Sequence, residues 1–318
     1  MDVNQNQQSQ AQPGPAASPS TPIDAYEQIS LRHRSLLRAP HEAKDFSAAL
    51  TRVAYDLHEL IESNLDEALF LTMRRDPSDD GAVHSFSVGL ICGAIGRRLG
   101  LSLDETLRLI AASLTMNIAM IELQRKLWSQ ATPLTNEQQE EIRTHPERGR
   151  RWLESLGVAD GDWLRAVAEH HELPNGSGYP RGLKEVSPLA FVIRNTDTYC
   201  AMLGARAYRA PLPANQAARR LYMMADSHKD RVPALIVEEV GIFPPGSFVR
   251  LANGELAIAT HRGEKANTPM VISLRNGHNE SFPKPLVRDT RIAEFSVAEL
   301  LPPEGVDIQV DARQLYGY

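Results

Sequence analysis

Glu169-His170-His171-Glu172-Leu173-Pro174-Asn175-Gly176-Ser177-Gly178-Tyr179-Pro180 closes a helical pattern with two adjacent histidines and follows it at once with a Gly-rich turn. Imidazole nitrogens are donors of the kind that hold transition metals. Glycines let backbone approach a ligand closely. These residue types point to a metal-and-phosphate site whose other parts must come from elsewhere in the chain.

Projecting the neighbouring segments as helices puts single polar residues on apolar stripes. His84 shares a stripe with Val88, Ile91, Ile95 and Leu99, with Asp80 one turn before it. Asn117 falls in line with Leu107, Ile110, Leu114 and Ile121. His145 follows Ile142 and precedes Trp152 and Leu153; His170 follows Trp163 and Val167; Asp197 lies between Ile193 and Cys200. One such residue would read as a hydrogen-bonded core group. Five helices carrying one each point instead to a shared site, because burying Asp or imidazole without a partner costs several kcal/mol, roughly. Imidazoles with one or two carboxylates suit Fe, Mn or Zn.

The 318 residues carry a net charge of −6, which argues against a nucleic-acid polymer as partner. The two cysteines, Cys92 and Cys200, lie far apart in apolar helical patterns, so no disulfide framework is indicated. No apolar run approaches the roughly 18–20 residues of a membrane span, and the N-terminus lacks a signal-peptide pattern. The expectation is a cytoplasmic protein.

Residues 1–22 are dominated by Gln, Pro, Ser and Ala and are expected to be disordered. Helical periodicity over 23–79 rests on Leu50, Val53, Ala54, Leu57, Leu60 and Ile61. Residues 80–243 read as consecutive helices, with Thr135 and Gln138 forming a capping box. Over 244–318 the pattern changes. Asn253-Gly254 between Phe248–Leu251 and Leu256–Ala259 predicts a hairpin, with a third strand over Pro269–Leu274. The expected fold class is mainly α: a helical bundle domain with a small C-terminal β-rich module. Trp128, Trp152 and Trp163 read as core.

The order His84, His145, His170-His171 and Asp197, with Gly178-Tyr179-Pro180 behind the double histidine, resembles the HD-GYP family of the HD phosphohydrolase superfamily. Leu134-Thr135 before His145-Pro146-Glu147, the run Asp197–Met202, and Arg206 to Arg209 also match. The resemblance covers about half the chain. It implies an HD-type helical bundle and hydrolysis of cyclic di-GMP at a two- or three-metal site. It implies as metal ligands His84, His145, His170, His171 and Asp197, with Asp80 a weaker match. Asn175, Gly176, Gly178, Tyr179, Pro180, Arg181, Arg206 and Arg209 become ligand- or partner-contacting candidates, Asn175 replacing an Asp of the motif.

The family's central His-Asp-x-Gly-Lys is missing. Met116 replaces the His, Asn117 the metal-bridging Asp, Ala119 the Gly and Met120 the Lys. A bridging carboxylate offsets repulsion between cations about 3.5–4 Å apart. Asn117 offers only a neutral carbonyl oxygen, and a thioether is a poor ligand for Mn, Mg or Fe(II). No catalytic residue is assigned. The expected cofactor is one divalent transition metal (Fe, Mn or Zn) at reduced occupancy, or none. Its ligands would be a subset of the five survivors; otherwise these persist as hydrogen-bonded architecture. The first expectation is a degenerate HD-GYP signalling protein that binds a cyclic dinucleotide or a protein partner with little or no hydrolysis. The alternatives are a residual metal-dependent cyclic di-GMP phosphodiesterase, and a scaffold whose β module docks a partner.

Overall fold

Thr21 opens the first helix by accepting a hydrogen bond from the Asp24 amide at 3.1 Å, and Pro22 occupies a first-turn position where its missing N–H costs nothing. The computed structural model describes residues 21–74, 81–204, 210–224, 231–302 and 305–318. Asp80, Arg206, Arg209 and the segment 1–20 lie outside the described residues.

Helices α1 (Pro22–Arg38), α2 (Phe46–Arg74), α3 (Gly81–Gly96), α4 (Leu103–Thr115), α5 (Ile121–Ser129) and α6 (Asn136–Ser155) are followed by α7 (Gly161–Glu169), α8 (Pro188–Leu203), α9 (Ala214–Met223) and α10 (Val232–Val240). Helix α3 is the axis of the bundle, buried almost all round. Close packing there depends on a missing side chain. A β-carbon on Gly93 would stand 2.6 Å from Ile61 Cδ1 and 2.9 Å from Ile110 Cδ1, so these side chains of α2 and α4 fill the space that glycine leaves on α3. The stripe Leu50, Val53, Ala54, Leu57 is fully buried, as its spacing predicts.

The predicted capping box is present. Thr135 Oγ1 accepts from the Gln138 amide at 3.2 Å, and Gln138 Oε1 accepts from the Thr135 amide at 3.0 Å. Two expectations need correction. Trp163 is buried, but Trp128 and Trp152 are only half-buried. The segment Leu103–Ser129 does have the length and apolar content of a membrane span, yet 78% of that window is buried inside the protein, which makes it a core segment.

The C-terminal part is an antiparallel sheet of β1 (Phe248–Leu251), β2 (Leu256–His261), β3 (Met270–Arg275), β4 (Ser281–Asp289) and β5 (Val297–Leu301), in the order β4-β3-β2-β1-β5. The Asn253-Gly254 hairpin joins β1 to β2 with Val249 opposite Ala257. Helix α11 (Ala312–Tyr316) ends the chain. The sheet packs on the bundle through Phe70 of α2, which clusters with Phe248, Ile258 and Ile272 and meets the Tyr316 ring edge-on at 5.5 Å. Burying a Phe in this way stabilises by about 1.5–3 kcal/mol. Arg262 adds a polar clamp, reaching Asp66 of α2 at 2.7 Å and Glu239 of α10 at 2.7 Å.

Candidate metal and ligand site

The chain places His145 in mid-helix immediately before a proline, and that order has a physical consequence. Pro146 has no N–H, so the carbonyl of Ile142, one turn back, loses its helical partner. The Nδ1–H of His145 donates to that carbonyl at 2.6 Å. At the end of α7 the Nδ1–H of His170 donates to the carbonyl of Val167 at 2.7 Å. With both Nδ1 atoms engaged as donors, both Nε2 atoms carry lone pairs, and they face each other at 3.2 Å. His171 completes the group: one ligand atom from each of His145, His170 and His171 lies within 4.8 Å of the others.

Burial first, then the neighbouring imidazole, pushes His145 down to about 3. Burial likewise lowers His170, and lowers His171 well below its ordinary value. The neutral imidazole is the ligand form. Carbonyl-anchored rings with opposed lone pairs are the arrangement that orients histidines on a metal. The donor set fits one divalent ion held by His145, His170 and His171.

The other half of the site is arranged differently. His84, in the first turn of α3, bonds Asp197 of α8, Nε2 to Oδ1 at 2.6 Å. Burial raises the Asp197 carboxyl, but the hydrogen bond with His84 outweighs it and holds the group low. Asn117 stands between α4 and a 3-10 turn over Ile118–Met120, and its Oδ1 is buried with no hydrogen-bond partner. Met116 is fully buried in the apolar core cluster. The position that lost its histidine therefore packs into the core, while the position that lost its aspartate still faces the cavity.

That cavity, of about 540 Å³, is lined by His84, Asn117, His145, His171, Tyr179 and Asp197 on one side and by Met120, Leu127, Leu134 and Ile142 among others. Five of the stripe positions thus converge, counting His170, which lies buried behind His145 and His171.

The Gly-Tyr-Pro turn is held from within. A β-carbon on Gly178 would stand 2.3 Å from the Leu173 nitrogen, so only glycine fits. The Tyr179 ring stacks on His171 with centroids 4.6 Å apart. Burial, then the Asp197 charge, raises the Tyr179 phenol, which stays protonated. Of the turn candidates, Tyr179 lines the cavity; Asn175, Gly176, Gly178, Pro180 and Arg181 do not. Asn175 Oδ1 instead accepts from Ser177 N at 2.9 Å and Ser177 Oγ at 2.7 Å, closing a local turn. Arg181 reaches Glu169 at 3.4 Å.

Sequence reasoning passed over Glu172 and Gln124. Glu172 is fully buried and accepts from the Arg181 and Leu183 amides at 2.7 and 2.9 Å, pinning the turn beneath the histidines. An acid directly after the double histidine was the available signal. Gln124 lines the cavity from α5 with its Oε1 buried and unpartnered.

The profile of the HD-domain family matches residues 52–232, more than half the chain. A solved structure from Bdellovibrio bacteriovorus, described as an HDG"Y"P protein, superposes with a TM-score of 0.56 at 18% identity, over 68% of this chain and 70% of that one. The chain belongs to the HD-domain family, in its HD-GYP branch. This HD-GYP chain is 29% identical over 271 residues to a cyclic di-GMP phosphodiesterase of Pseudomonas aeruginosa, a match covering 80% of this chain and 65% of the relative. It is 30% identical over 144 residues to a cyclic di-GMP phosphodiesterase of Thermotoga maritima, covering 43% of this chain and 38% of that one. The HD-GYP chain thus spans less than two thirds of the length of these relatives.

Proposed function

We propose that this HD-GYP chain is a signal-binding module, holding one divalent ion at His145, His170 and His171 and taking a cyclic dinucleotide into the adjoining cavity with little or no hydrolysis. The observation that carries this reading is the 2.6 Å bond between His84 and Asp197 beside a neutral, unpartnered Asn117. The two surviving groups of the second half satisfy each other. Among the described residues no carboxylate replaces the bridge that holds a metal pair together. A divalent ion, when bound, supplies positive charge against a phosphoryl oxygen and polarises water. The chain's own residues do the rest. His145 and His170 present lone pairs fixed by backbone carbonyls, Tyr179 keeps His171 stacked, and Asp197 is occupied by His84.

Metal analysis of the purified protein, paired with cyclic di-GMP binding and turnover, tests this. The expected result is at most one equivalent of metal, with binding but negligible turnover. Two tightly bound metals with metal-dependent hydrolysis would sink it in favour of the second reading, a residual metal-dependent cyclic di-GMP phosphodiesterase. That reading is favoured by the activity for which the relatives are named and by the open cavity beside the three imidazoles.

A further inference from the structure

Asn117 and Gln124 are 5% and 4% exposed, and both line the cavity beside the histidines. The carbonyl oxygen of each amide is buried with no hydrogen-bond partner. A buried acceptor left unpaired carries a free-energy penalty, and native proteins keep such groups where a ligand or water satisfies them. A phosphate would bring negative oxygens against two carbonyl oxygens. A ring edge carrying a donor beside an acceptor matches an amide instead, which is how Asn and Gln grip a nucleobase. Each amide carries its NH2 donors beside that oxygen, so both donors and acceptors are on offer. Leu127, Leu134 and Ile142 supply apolar surface in the same cavity for the faces of a flat ring.

We propose that Asn117 and Gln124 form a base-reading pair, seating a nucleobase with its hydrogen-bonding edge on the two amides and its ring against Leu127, Leu134 and Ile142. This rests on the nucleotide-binding reading above and adds which part of the nucleotide these residues recognise. The substitution of the bridging Asp by Asn117 thereby changes the position's task from holding cations to reading a neutral edge. The backbone leaves space for Gln124: a β-carbon on Gly81 would stand only 3.0 Å from its Oε1.

Calorimetric titration of the full chain tests the pair, with cyclic di-GMP as ligand and guanosine and inorganic phosphate as competitors. Gln124→Leu is expected to weaken cyclic di-GMP binding about tenfold or more, with metal content unchanged and the melting temperature equal or higher, since an unpaired buried amide is removed. Gly81→Ala, which crowds the amide without removing it, is expected to weaken binding several-fold. Guanosine is expected to compete in the wild-type protein and not in Gln124→Leu, whereas inorganic phosphate, which meets the ion, is expected to compete equally in both. Wild-type affinity in Gln124→Leu, or guanosine competing equally in both proteins, overturns the base-reading pair while leaving nucleotide binding standing. Failure of the wild-type protein to bind any cyclic dinucleotide overturns the parent reading, and the pair with it.

Discussion

The Nε2 atoms of His145 and His170 face each other at 3.2 Å while each ring's Nδ1 is tied to a backbone carbonyl. Neither nitrogen has a proton to share, and a cation held by both lone pairs would satisfy the contact. The positions of these rings are set by helix ends and by one proline, not by the histidines themselves.

Restoring the missing amide at residue 146 should loosen that arrangement. In Pro146→Ala the new N–H competes for the Ile142 carbonyl and frees the His145 ring. Metal affinity is expected to fall about tenfold, the lower end of what orienting partners contribute. The melting temperature should rise, because an interior proline is removed from α6. A chelator-competition titration with Zn²⁺ beside a thermal melt reads both; unchanged affinity would mean the ring is held by packing alone.

Stability should fall as pH drops from 6.5 towards 4 in metal-free buffer. His145, with an ordinary value of 6.5, lies near 3 in the folded protein, and His170 and His171 are also lowered. Between these limits the unfolded chain binds a proton that the folded His145 refuses, which costs up to about 1.4 kcal/mol per pH unit, and His170 and His171 act in the same direction. Asp197 is lowered too, so its contribution is lost only below its ordinary 3.8, outside this window. In His145→Gln the slope of unfolding free energy against pH should be shallower. An equal slope in both proteins would place the titration elsewhere.

Glu172 should matter more to stability than Asn175, although both belong to the same turn. Glu172→Gln leaves one acceptor for the two amides it holds and is expected to cost about 2 kcal/mol in a denaturant melt, in line with hydrogen bonds to charged groups. Asn175→Ala removes bonds at an exposed turn and is expected to cost about 0.5 kcal/mol. The reverse ranking would show that the turn is not held through Glu172.

Rebuilding the lost motif should work at one position and not at the other. Asn117→Asp is expected to raise the number of metals bound per chain, because residue 117 lines the cavity. Met116→His is expected to destabilise by about 2 kcal/mol with no gain in metal, because residue 116 is fully buried in apolar surroundings. Metal content and thermal melts of the two single variants check this. A gain in metal from Met116→His would show that the side chain turns out of the core.

Much of the architecture was legible because it is written in local chemistry. Asn253-Gly254 called for a hairpin, Thr135 with Gln138 for a helix start, and the Leu50–Leu57 stripe for a buried face. Strands β4 and β5 were not singled out. Their residues are largely exposed, and Pro283 and Pro285 stand within β4, which lies at the sheet edge where a missing N–H is tolerated. Trp128 and Trp152 were assigned to the core on residue type, yet half-burial of a large ring depends on what packs beside it.

The sequence by itself determined the family, the helical order, and the loss of the His-Asp pair, since each is a matter of residue type and spacing along one chain. Only the tertiary structure decided that Met116 turns into the core while Asn117 faces the cavity. Only the fold paired His84 with Asp197, 113 positions apart. It likewise left the lone pairs of His145 and His170 facing each other. The reason is physical: helical spacing says which residues share a face, but which faces meet, and which buried polar groups find partners there, is settled by packing across the bundle.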